Sequence, residues 1–263
     1  MKNEIHTSAK KALKGGIMDK EIYDADIIEA FASQRGQSIE SYLDIPIENL
    51  IALRSRDFYA PGSSWRKAAL SLHCRGWDEF RADIVRYFTS DLLDKSFPPL
   101  DSHEELRIGF TGGAIYCKLG NHRAVAAKAW LAHNCSERAI LKKAKCYYRK
   151  ICPPLRELMN KCLAEGSTLK YAYVSSDCGY LRGRDICDVI MVKKRFSCFE
   201  IYNLNTEAET LELVVPSRNL IFRLLKLDLL SRCSRLKFKK IPTRLIEIML
   251  DESKADELFH CAP

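Results

Sequence analysis

Gly120-Asn121-His122-Arg123 is the stretch of this chain whose residue types and spacing best suit chemistry on a phosphate. A glycine that leads into a helix leaves the first-turn amides uncovered, and the positive end of the helix dipole then favours an anion. Arg123 adds a planar fork of donors matched to phosphate oxygens. His122 can hydrogen-bond a phosphate or carry a proton near neutral pH. Two further guanidinium groups, Arg54 and Arg56, fall in the loop Arg54–Gly62, whose Pro-Gly ending marks a turn. The acid that would activate water or hold an ion is not singled out by spacing: Glu48, Asp57 and Asp177 are the candidates. Each of these has a plainer reading. Strand-to-helix junctions often hold a glycine, and loop arginines often do no more than solvate a surface.

The elements around the junction are legible. Leu106, Ile108 and Phe110 alternate before Thr111-Gly112-Gly113, and Ile115, Cys117 and Leu119 alternate after it, the pattern of a half-buried hairpin. Beyond Arg123 the period changes: Ala124, Ala127, Trp130 and Leu131 recur at helical spacing, with Asn121 in the place of an N-cap.

Strand, glycine and Ala-rich helix in this order, CKLGNHRAVAAKAWL, resemble the signature of the ParB/sulfiredoxin superfamily. Tyr42–Leu50, YLDIPIENL, resembles the opening strand of that fold, and the two pieces together cover roughly residues 40–150. The resemblance implies a nucleotide or phosphate site formed by Gly120, Asn121, His122 and Arg123, with Arg54 and Arg56 facing the same anion. It also implies a nucleoside tri- or diphosphate with Mg2+ as cofactors. In sulfiredoxins the catalytic Cys precedes the His-Arg pair; Asn121 stands there here, so the chain is not a true sulfiredoxin. In partition-type ParB proteins the motif is commonly Gly-Glu-Arg-Arg, and helix-turn-helix segments follow that have no clear counterpart here.

Charge points to a polyanionic partner. Between Arg218 and Arg244 nine basic residues face one acid, Asp228, which equals the whole net charge of +8. A second cluster, Arg138 to Arg156, includes Lys142, Lys143, Lys145, Arg149 and Lys150. Clusters at 138–156 and 218–244 suit nucleic acid, or an acidic partner protein. The eleven cysteines are scattered, with no C-x-x-C pair, which predicts reduced thiols and no structural metal. No apolar run approaches the roughly 20 residues of a membrane span, and MKNEIHTSAKKALKGG lacks the apolar core of a signal peptide, so a cytoplasmic protein is expected.

The remaining elements follow in order. Residues 1–18 read as a loose arm or short helix, Asp19–Gln34 as an amphipathic helix, and residues 42–47 as a strand followed by a short helical turn over Ile47–Leu53. Trp65–Leu72 and Trp77–Phe88 read as helices and Lys142–Ile151 as a strand of the same sheet, with Cys152-Pro153-Pro154 as a boundary. Leu155–Glu165 is a helix closed by Gly166. Leu169–Val174, Ile186–Val192, Ser197–Leu204 and Leu211–Val215 are strands, and Arg218–Leu230 and Ile241–Leu250 are helices before an acidic, frayed tail.

The class is therefore α+β. An arm and helix (1–39) precede a ParB/sulfiredoxin-like domain (40–152), and a smaller β-rich region (153–263) ends in basic helices. The functional expectation is an NTP-dependent enzyme acting on nucleic acid, a nuclease or NTPase, with His122, Arg123 and Glu48 as catalytic candidates. A non-catalytic nucleic-acid or protein-binding accessory factor, or an ATP- or ADP-dependent small-molecule kinase, remains the alternative.

Overall fold

The structure of the protein, a computed structural model, describes residues 1–35, 38–54, 59–60, 62–93, 95–99, 105–135, 139–173, 188–194, 198–215 and 237–260. The chain forms two compact units: Met1–Glu29 with Ser38–Arg149 and Glu252–Pro263, and Ala30–Gln37 with Lys150–Asp251.

The first unit is a mixed six-stranded sheet with helices. Its strands are β1 (Tyr23–Asp24), β2 (Ile39–Pro46), β3 (Leu50–Leu53), β4 (Arg107–Thr111), β5 (Ala114–Leu119) and β6 (Ile140–Arg149), in the order β1-β3-β5-β4-β6-β2. β1, β3 and β5 run parallel, β4 is antiparallel to β5, and β6 is parallel to β4. The helices are α1 (Lys2–Lys11), α2 (Ala25–Ala30), α3 (Trp65–Leu70), α4 (Arg81–Thr89), α5 (Asn121–Asn134) and, near the end of the chain, α8 (Ser253–His260). Alternation divides the sheet by face. Ile108, Phe110, Ile115, Cys117, Cys146 and Tyr148 belong to one core with residues of α1, α3, α4 and α5. Gly109, Thr111, Tyr116, Lys118, Lys145, Tyr147 and Arg149 belong to the other face.

Several local expectations are corrected. Asp19–Gln34 is not one helix: Tyr23–Asp24 pairs with β3, and Asp24 Oδ1 then accepts from the Asp26 amide (3.1 Å), turning the chain into α2. Leu50–Leu53 is a strand, not a helical turn. It lies between β1 and β5, three of its four residues are buried, and so short an apolar run carries no periodicity to separate the two. The helix read from Trp77 begins at Arg81, after turns at Cys74–Phe80. Gly120, not Asn121, stands at the N-cap of α5: Asn121 is already the first helical residue, and the chain enters the helix through a left-handed glycine (φ 95°). The tail is helical, and Phe259 packs edge-on to Phe110 with centroids 5.1 Å apart. The opening arm is α1, whose Ile5 and Ala9 are fully buried.

The second unit is a five-stranded antiparallel sheet, β10-β9-β8-β7-β11, built from β7 (Thr168–Tyr173), β8 (Asp188–Lys193), β9 (Phe199–Asn205), β10 (Thr210–Val215) and β11 (Lys239–Lys240). α6 (Pro153–Glu165) packs on β7 and β10, and α7 (Thr243–Leu250) packs on α6. Proline opens α6, and Gly166 closes it at φ 63°. The expected helix Arg218–Leu230 and most of the 218–244 cluster lie outside the described residues. Among the described residues no helix is long and apolar enough to cross a membrane.

Candidate functional site

Three parallel strands, β1, β3 and β5, end at the same edge of the first sheet. The carboxyl ends of parallel strands are where open sheets leave a crevice for ligands. β1 leads into α2 with Asp26 and Glu29, β3 into Arg54, and β5 through Gly120 into α5.

The junction at Gly120 is closely packed on one side. A Cβ added there would stand 2.9 Å from Arg123 Nε and 3.0 Å from Leu106 Cδ1, so the Arg123 side chain turns back over the glycine. Arg123 is only 7% exposed, and its guanidinium lies 5.7 Å from the centre of the Phe97 ring. Burial pushes the nearby Tyr87 phenol up, and the Arg123 charge opposes that shift. Arg123 is thus part of the packing beneath the turn.

Asn121 is also buried, at 6% exposure. Its Nδ2 donates to the Arg54 carbonyl at 3.0 Å, an oxygen that also accepts from the Tyr59 hydroxyl. Its Oδ1 is buried and has no hydrogen-bond partner among the described residues. Gly120 offers no side chain to cap the first turn of α5. His122, between the two buried residues, is exposed.

Arg54 reaches the opposite way. Glu29 pairs with its Nη2, and Asp26 Oδ1 lies 3.6 Å from its Nε. Burial works against this charge, but the two carboxylates outweigh it and the guanidinium is held above its ordinary value. The second Glu29 oxygen is 3.7 Å from Lys118 Nζ. Tyr116 lies over Gly109 of β4, where any Cβ would collide with its ring. Burial, and then the Glu29 charge, push its phenol up to about 12.

The structure therefore brings Gly120, Asn121, Arg123 and Arg54 together. It does not bring Glu48 to them: that side chain is exposed in the turn before β3, at the other end of the strand from Arg54. Arg56, Asp57 and Asp177 lie outside the described residues. Sequence reading missed Asp26, Glu29, Tyr116 and Lys118. The signal for the first two was Asp24-Ala25-Asp26, an acid able to cap a helix placed directly after an apolar pair, read instead as helix interior. The 138–156 cluster is partly one face of β6, where Lys145 is held by Glu40 (2.9 Å) and Glu105 (3.2 Å).

Compared with protein-family models, curated proteins and solved structures, the chain matches none of them.

Proposed function

We propose that the edge formed by β1, β3, β5 and α5 binds a nucleoside phosphate, and that the protein is a ParB-like, NTP-dependent enzyme acting on nucleic acid. The observation that carries this reading is the buried, unpartnered Asn121 Oδ1 at the start of a 14-residue helix that has no capping side chain. A buried acceptor left unpaired costs about 1–3 kcal/mol, while an anion at a helix start is worth about 0.3–1 kcal/mol. The larger effect asks for a donor and the smaller one for an anion. A nucleotide supplies both, a sugar hydroxyl beside a phosphate. Arg123 then holds the turn from below, and His122 is the exposed polar side chain beside it.

Among the described residues, α2 brings the carboxylates of Asp26 and Glu29 to this edge, and in a nuclease or NTPase they take the water-activating role in place of Glu48. Both are engaged by Arg54, and among the described residues no group of three His, Cys, Asp or Glu side chains is arranged to hold a metal ion. The described carboxylates at this edge are therefore held by a guanidinium and not arranged around a cation site. The inward packing of Arg123 and the pairing of Arg54 favour a second reading, a nucleotide-independent accessory factor.

Calorimetric titration with ATP, ADP, CTP and GTP, each with Mg2+, separates the two. Saturable binding of at least one nucleotide that is lost in Asn121→Leu is the expected result. Turnover with nucleic acid then distinguishes an NTPase or nuclease from a small-molecule kinase. Binding of none of the four, or binding untouched by Asn121→Leu, would refute the site.

A further inference from the structure

At the far end of α5 from Gly120, the helices α1, α4 and α5 line an open cleft of about 740 Å3. That volume is in the range of sites for drug-sized molecules. Its lining has a consistent chemistry. Trp130 contributes an indole that is partly exposed and is backed by Phe88, with ring centres 6.5 Å apart. Ala82 and Val85 of α4 extend this apolar floor. The other two tryptophans, Trp65 and Trp77, are 1% and 8% exposed, so Trp130 is the one that presents surface to a ligand.

The rim is rich in donors. Arg81 and His133 can both donate, and Thr7 and Asn134 add neutral polar groups. The one acid among the lining residues is Glu4, and it is already paired with Arg81. The Arg81 side chain is 66% exposed in that pair, and exposed pairs contribute little net stability. Glu4 engages only Nη2 of a guanidinium that carries five N–H donors, so a ligand carboxylate can share Arg81 with Glu4 without displacing it.

We infer that this cleft binds a small flat aromatic carboxylate, its ring stacked on Trp130 and its carboxylate on Arg81 and His133. Stacking on an indole selects a planar ring, and the excess of donors selects an acceptor-bearing group. The inference does not depend on the nucleotide reading, since no residue of the Gly120 junction lines the cleft.

The test uses the full chain and three pairs of probes: benzoate, indole-3-carboxylate and quinaldate, each beside its carboxamide. Binding is followed by saturation-transfer NMR and calorimetry. At least one acid is expected to bind saturably, with its amide weaker by about tenfold or more, the loss of one charge-assisted contact. Arg81→Gln should weaken the acid by a similar factor, and Trp130→Leu should abolish binding. Trp130→Phe, which keeps a ring in the core, guards against a folding defect and should bind with intermediate affinity. Asn121→Leu should leave all of this unchanged. Equal binding of acid and amide, retention of acid binding in Arg81→Gln, or no binding of any acid at millimolar concentration would overturn the assignment.

Discussion

Asn121 and Lys128 are polar residues two turns apart on α5, both buried, and they end in opposite states. Lys128 is 1% exposed, yet its Nζ donates to the Ile47 carbonyl (2.6 Å) and the Leu50 carbonyl (2.5 Å) and sits 4.1 Å from the centre of the Trp65 ring. Burial pushes the amine well below the ordinary lysine value, and the two carbonyls that accept from it offset part of that desolvation. Asn121 has its donor engaged and its acceptor without a partner. A buried group with complete bonds is explained by the fold. One with an incomplete set is not satisfied by the described residues around it.

The largest expected effect breaks the complete case. Lys128→Met keeps the volume but strands two buried carbonyls, so stability should fall by about 2–5 kcal/mol in urea unfolding. The pH dependence sharpens it. The unfolded lysine titrates near 10.5, and the folded one well below. Between those values the unfolded chain binds a proton that the folded chain lacks. Stability should therefore rise with pH through that window and level off above 10.5. Lys128→Met should lose the slope. A variant as stable as the parent, with the same slope, would show that the amine is not held as described.

The next effect tests the crowding behind Arg54 and Glu29. Gly109→Ala puts a methyl into the Tyr116 ring, and displacing that ring should cost about 1–3 kcal/mol and loosen the Glu29 cluster. Gly109→Ala combined with Tyr116→Ala should recover most of the loss, because the clash needs both partners. If the double variant is no better than the sum of the singles, the ring does not lie over the glycine.

Much of this arrangement was legible in the sequence, for reasons that differ by element. The hairpin of β4 and β5 and the helix α5 have long, clean periods, and α3 is capped by Ser64, which accepts from the Lys67 amide at 3.2 Å. The strands β7 to β10 alternate strongly enough to be placed within a few residues. β1 and β3 are two and four residues long, too short for any period, so the parallel edge that gathers Asp26, Glu29 and Arg54 could not be seen. The same blindness put Glu48 forward: it is near Arg54 in sequence, but a strand lies between them. Arg123 belongs to the junction by its place in the sequence, yet nothing local says that its side chain folds inward over Gly120. Phe97, on which its guanidinium lies, comes from elsewhere in the chain.

The smallest effect concerns a polar cluster completed at the surface. Arg66 of α3 reaches Asp19 with two bonds (2.6 and 2.9 Å) and gives its remaining hydrogens to carbonyls at the end of α1, including Ala12 at 3.1 Å. The bond from Arg66 holds the Asp19 carboxyl below its ordinary value; desolvation opposes it. A carboxyl depressed in the folded state contributes stability that is present above the ordinary carboxylate range and is lost as pH falls through its folded value. Asp19→Asn should therefore flatten the acid side of the stability curve and leave the alkaline side alone. Because Asp19 is solvated, the change at neutral pH should stay under about 1 kcal/mol. A larger loss would mean that Asp19 secures the end of α1 through Arg66, which Arg66→Met would then reproduce without the pH dependence.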